Sequence, residues 1–307
     1  MNPLPLRSIL AATNLSEEAE LALRAAQALR PEGTRLHVVH CHTGGRHELA
    51  EPTRSSGTPD MDEATRDESD VHSTFIRHVT EAGLELSDIA VHLRTGAPHR
   101  EVRALAEEVE ADLIVLGSHR PRRMFDGLLG TTADRVIRTA RRPSLVVNRE
   151  VASRPRRILV ASDLSPVADR ALDVAVSWAR HWASGDGRDE STKVRIELLH
   201  IFDFARPGYM VGASKAEALS ERASRAGEQA GPQVTVRPRT LSAPLAPDGI
   251  LRAAEESDPD LVFLGTHGHG FFLRALLGGV ASEVVRTMRF PIVVVPPEAE
   301  GTNAGAP

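Results

Sequence analysis

The chain reads as one long segment written twice, and that duplication constrains the fold more than anything else in it. Ile9-Leu10-Ala11-Ala12-Thr13-Asn14-Leu15-Ser16 recurs 149 positions later as Ile158-Leu159-Val160-Ala161-Ser162-Asp163-Leu164-Ser165. Leu36 to His40 is echoed by Ile196 to His200. Asp112-Leu113-Ile114-Val115-Leu116-Gly117 recurs as Asp260-Leu261-Val262-Phe263-Leu264-Gly265, 148 positions on, and Pro143 to Val147 recurs as Pro291 to Val295. Four segments in one order at a nearly constant offset make a tandem repeat, and its period is far too long for a solenoid. We read two domains, 1–150 and 155–297, with a linker over Arg149–Arg156 and a disordered tail over 298–307.

Within each half, short apolar runs alternate with helical periodicity. Continuous apolar strands alternating with helices predict an α/β fold with a parallel sheet covered on both faces. Strands are expected near 7–13, 35–41, 88–94, 112–117 and 144–148, then near 157–162, 194–201, 233–239, 260–265 and 292–296. Helices are expected over 17–29, 98–110, 131–140, 248–257 and 280–288, with Ser16 as an N-cap. Pro166 would sit at the first helical position, where its missing N–H costs nothing. His42–Asp70, rich in Gly, Pro, Ser, Thr and acidic residues, fits no core, and its first part reads as a mobile surface loop. Ser184–Thr192 reads as a shorter polar loop.

Composition narrows the classes. The formal net charge is −5 with a pI near 6.2, so no broad basic surface is offered to nucleic acid. The single cysteine, Cys41, allows no intramolecular disulfide and points to no oxidising compartment. No apolar run reaches the ~18 residues of a membrane span. These features predict a soluble, cytoplasmic protein.

One stretch suggests chemistry. Asp260–Gly279 is a strand that breaks into Gly265, Gly268 and Gly270, then reaches the pair Gly278-Gly279 before a helix. Backbone N–H groups in such a turn, with a helix N-terminus behind them, suit a phosphate. Glycines alone serve a ligand-free turn just as readily.

Together these residues resemble the universal stress protein family in its tandem-domain form, over nearly the whole chain. The resemblance rests on the opening Ile158–Leu172, the strand ending Leu198-Leu199-His200-Ile201, the signature Gly265–Gly279 and the closing Phe290–Pro296. Nucleotide-binding members carry G-x-x-G, nine residues, then G-(S/T); here Gly265, Gly268 and Gly278 fit that spacing. The resemblance implies two doubly wound five-stranded parallel sheets of order 3-2-1-4-5, related by a pseudo-two-fold axis. It also implies a site for ATP or AMP between the first and fourth strands, where the sheet order reverses. Asp163 would meet the adenosine, the backbone of Ile201 the adenine edge, and Gly265, Gly268, Gly278 and Gly279 the ribose and phosphates. Alone, Asp163 fits an Asx turn better; its place in the set reverses that preference.

Both halves depart from the pattern. Gly279 lacks the hydroxyl that would bond phosphate, a loss of about 1 kcal/mol. In the first half Arg120 replaces the second glycine and Asn14 the aspartate, although Gly130-Thr131 is intact. The second half is therefore the expected binder and the first a degenerate copy.

Other chemistries fare worse. His40, Cys41 and His42, with His119 after the fourth strand, suggest a metal cluster, but alternation sends Cys41 to the opposite side and spoils a simple three-ligand set, and no C-x-x-C or H-E-x-x-H is present. No P-loop lysine follows either glycine turn, and no triad or carboxylate pair supports catalysis. The Arg120-Pro121-Arg122-Arg123 cluster reads as a solvated loop. Two functions stand: a nucleotide-responsive stress-response regulator, or an interaction scaffold with relic motifs. By the resemblance, Ser144–Val147 and Ile292–Val295 pair antiparallel within the chain, leaving the pseudo-symmetric monomer free to dimerise.

Overall fold

A computed structural model describes residues 6–42, 61–118, 131–183, 193–203, 212–268 and 277–298. In the first half β1 (Ser8–Thr13), α1 (Glu17–Leu29), β2 (Arg35–His42), α2 (Met61–Glu81), β3 (Ile89–Thr95), α3 (Pro98–Glu108), β4 (Leu113–Gly117), α4 (Thr131–Thr139) and β5 (Ser144–Val147) follow one another. The second half repeats the series. It runs through β6 (Arg157–Ala161), α5 (Pro166–Trp182), β7 (Val194–Asp203), α6 (Gly212–Ala230), β8 (Val234–Ala243), α7 (Ala246–Ser257), β9 (Leu261–Gly265), α8 (Gly279–Thr287) and β10 (Ile292–Val295).

Each half orders its strands 3-2-1-4-5, and all pairs within a half are parallel. The two sheets are not separate. β10 pairs antiparallel with β5, Val293 opposite Leu145, so ten strands form one sheet ordered β3-β2-β1-β4-β5-β10-β9-β6-β7-β8. Asn148 reinforces the seam, donating from Nδ2 to the carbonyls of Met288 (2.9 Å) and Phe290 (3.2 Å). The Arg149 guanidinium lies 4.3 Å from the centre of the Phe290 ring, a cation–π contact.

Strand alternation builds the two cores. Ile9, Ala11, Val115, Ile158, Val160, Phe263 and Val293 face α1, α2, α5 and α6. Their neighbours Leu10, Ile114, Leu116, Leu159, Val262, Leu264 and Val294 face α3, α4, α7 and α8. The first core runs through both halves, and Trp182 donates its indole N–H to the carbonyl of Leu29 across them (3.3 Å). Pro238 lies in β8, at the sheet edge, where a missing donor is tolerated.

Two helices escape the sequence reading. α2 begins at Met61, so the end of His42–Asp70, for which no element was assigned from the sequence, is helical, and His42 itself closes β2. α6 packs through Leu219, Ala223, Ala226 and Ala230, a stripe of mostly alanine that gives little hydropathic signal. Residues 43–60, 184–192 and 299–307 lie outside the described residues, as do the loop and tail readings made for them.

Candidate functional site

The duplication extends to hydrogen bonds. After β6, Ser162 Oγ accepts from the Leu164 N–H (3.1 Å), Asp163 Oδ1 from Ser165 (3.0 Å) and Ser165 Oγ from Ala168 (3.2 Å). After β1, Thr13, Asn14 and Ser16 repeat all three bonds, at 2.9, 3.2 and 3.3 Å. This stack of side-chain turns holds Leu15 and Leu164 at φ of 63° and 68°, left-handed values that cost a leucine about 1–2 kcal/mol. The carboxylate of Asp163 thus makes the Asx turn with one oxygen. Its other oxygen, Oδ2, lies where a Cβ on Gly268 would stand. Asx turn and site residue are compatible roles.

Around this turn lies a cavity of about 570 Å³, lined by residues at the ends of β6, β7 and β9 and the start of α8. Asp163, Ile201, Gly265, Gly268, Gly278 and Gly279 all line it, so the residues singled out in the sequence come together. Their roles differ. A Cβ on Gly265 would stand 2.8 Å from Val167 Cγ1 and 3.2 Å from its carbonyl carbon; this glycine lets α5 approach β9. Gly278 caps α8, giving its N–H to the Thr266 carbonyl (2.8 Å). Gly279 opens the helix, and a methyl group added to its Cα would meet nothing within 4 Å. Ile201 packs against Gly249, where a Cβ would come within 2.7 Å of Cδ1.

The start of α8 is electropositive. No side chain caps it and its first turn holds no acid. Among the described residues, the N–H groups of Gly279, Val280 and Ala281 find no backbone acceptor, as geometry requires of a helix start. His200, 4 % exposed, has Nδ1 2.8 Å from the Ser162 carbonyl oxygen, so Nδ1 carries the proton. Burial holds its pKa below the ordinary value, and Lys215 adds to this, against the hydrogen bond to Ser162 and the charge of Asp163. Lys215, on α6, also lines the cavity. Sequence reading missed it because it missed α6.

In the first half the corresponding cavity is about 200 Å³. Asn14, Cys41 and Glu18 stand there in the places of Asp163, Ile201 and Val167. Burial pushes the Cys41 thiol up to about 11, aided by Glu101. Cys41 Sγ lies 4.0 Å from the Pro98 carbonyl, while His40 and His42 turn the other way, to Thr13 O and Thr95 Oγ1 (both 3.0 Å). Among the described residues no group of three or more His, Cys, Asp or Glu side chains is arranged to hold a metal. His119, Arg120–Arg123 and Gly130 lie outside the described residues, as does Gly270. No helix among the described residues is long and apolar enough to cross a membrane.

Comparison with known proteins gives one family. The family model described as the universal stress protein family matches twice, at residues 5–148 and 155–296. A universal stress protein of Mycobacterium tuberculosis is 29% identical over 197 residues, covering 60% of this chain and 62% of the relative; the match therefore spans about three fifths of that protein's length. Universal stress protein G of Shigella flexneri is 33% identical over 136 residues, 43% of this chain and 89% of that protein. Among solved structures, a universal stress protein from Archaeoglobus fulgidus shares the fold at a TM-score of 0.66 and 20% identity, covering 95% of this chain and 99% of that one.

Proposed function

Because the chain belongs to the universal stress protein family, both halves matching its family model, we propose that it is a stress-response regulator that binds ATP or AMP in its second half. The observation that carries this reading is the cavity of about 570 Å³ between β6 and β9, with a carboxylate at one side and the uncapped start of α8 at the other. That volume is within the usual range for small-molecule sites, roughly 300–1,000 Å³. The N–H groups of Gly279, Val280 and Ala281 would take a phosphate oxygen, Asp163 a sugar hydroxyl or base donor, and the backbone of Ile201 the adenine edge. The protein is read as a binder, its surface or assembly changing with the bound nucleotide, and no catalytic step is assigned.

The first half is read as a structural and interaction partner. Its cavity of about 200 Å³ falls below that range, and Glu18 lines it in the place of Val167. Equilibrium dialysis with labelled ATP and AMP tests both statements. One nucleotide should bind per chain, and Gly268→Arg should abolish it by displacing Asp163 and filling the cavity. No binding at millimolar nucleotide would sink the proposal.

A further inference from the structure

The two cavities are lined by matched residues, yet one corner is built differently. Leu199, Ile250 and Leu264 of the larger cavity correspond to Val39, Val102 and Leu116 of the smaller one, so the apolar wall is retained. Beside Ile201, however, the second half has Gly249. The first half has Glu101 at the matching position, 148 residues earlier, beside Cys41. Glu101 turns over Gly96, its Oε1 lying 2.9 Å from where a Cβ on that glycine would stand.

Gly249 is buried in the first turn of α7. Glycine is a poor helix former, so a buried one inside a helix calls for a packing reason. Ile201 supplies it. A Cβ at position 249 would stand 2.7 Å from Ile201 Cδ1, 2.8 Å from its Cγ2 and 3.1 Å from the Cβ of Ala243. Both branches of the isoleucine therefore lie in the notch that the missing side chain leaves. A β-branched side chain has few rotamers, and turning χ1 to clear α7 swings one branch out of the notch. Ile201 is 9% exposed and lines the cavity, so the space open to the displaced branch is the cavity itself. Leu199, Ala246 and Ile250 line the same apolar end.

We infer that Gly249 sets the size of the ring that the second-half cavity accepts. With no side chain at 249, Ile201 stands back against α7 and the apolar end takes a fused two-ring base. With a side chain there, Ile201 moves inward and leaves room for a single ring. Gly249 is thus a positioning residue that acts through Ile201, and it makes the site selective for purine over pyrimidine nucleotides. Selectivity of this kind rests on the reading of the cavity as a nucleotide site. A change of one methylene in an apolar pocket is enough to discriminate between ligands, and narrowing this end penalises the larger ring.

Equilibrium dialysis of the full chain with labelled ATP and CTP tests it, because the two share ribose and triphosphate and differ only in the ring. The wild type should prefer ATP. Gly249→Ala should weaken ATP binding about tenfold, the effect of a methylene-sized change in an apolar pocket, and leave CTP binding unchanged. Alanine suits a helix better than glycine, so circular dichroism should show this variant folded. Adding Ile201→Ala to Gly249→Ala removes both displaced branches and keeps the backbone that meets the base edge. That double variant should recover ATP binding. No binding of either nucleotide to the wild type would sink the nucleotide reading and this inference together. A wild type that binds both alike, a Gly249→Ala protein that loses ATP and CTP equally or loses neither, or a double variant that stays weak would overturn only the role assigned to Gly249.

Discussion

At the scale of single residues, the site turns on what each glycine has next to it. Gly265 faces Val167 and Gly268 faces the Asp163 carboxylate, whereas Gly279 faces open space. Gly279→Ser should therefore be accepted without strain and place a hydroxyl at the first turn of α8. If nucleotide binds there, dialysis should show affinity rising roughly fivefold, the equivalent of about 1 kcal/mol for one hydrogen bond. Unchanged affinity would mean that the phosphates lie elsewhere. Asp173 on α5 offers a pH dependence. Burial pushes its carboxyl up to about 6, with Asp169 adding repulsion and Arg170 opposing it. A carboxyl with a folded pKa above its unfolded one penalises the fold when ionised, so that penalty is complete above pH 6 and fades as pH falls toward 4. Asp173→Asn should stabilise the fold at pH 7.5 by about 1 kcal/mol once its partial exposure is allowed for, read as a higher melting temperature, with the gain vanishing near pH 4.

Among the elements, the approach of α5 to β9 is the tightest constraint at the site. Gly265→Ala must push α5 away, at a cost of about 1–3 kcal/mol for overpacking. Val167→Ala in the same chain should recover part of that loss, which urea denaturation of both single variants and the double would measure. Additive losses would mean that Val167 is not the obstacle. The strands and the helices with mixed aliphatic stripes were legible in the sequence, their ends within a few residues: α1 spans Glu17–Leu29 as its periodicity requires. The missed helices are instructive. α2 carries its buried Phe75 and Val79 near its end, after a run of acidic residues, and α6 buries alanines. Hydropathy periodicity needs large apolar side chains to stand out, and these helices supply few.

For the whole molecule, the antiparallel pair β5–β10 makes one body of the two halves. Neither strand has a polar outer row to protect it: Leu145, Val146, Val293 and Val294 are all buried. A fragment beginning at residue 155 would expose the β10 edge, and an unpaired apolar edge recruits another strand. That fragment should appear as a dimer or larger species on gel filtration at ~500 mM salt, conditions that weaken charge pairing but not strand pairing. A stable monomeric fragment would show the seam to be dispensable.

The sequence by itself determined the duplication, the strand–helix order, the family resemblance and the short list of site residues, because each is a matter of local spacing along the chain. It could not say what those residues would touch. Gly265 and Gly268 belong to one motif, yet one glycine admits a helix and the other a carboxylate from the distant turn after β6. The joining of two five-stranded sheets into one and the size difference between the two cavities were likewise decided by tertiary structure. Close approach between distant segments depends on how whole elements pack, and no local period records it.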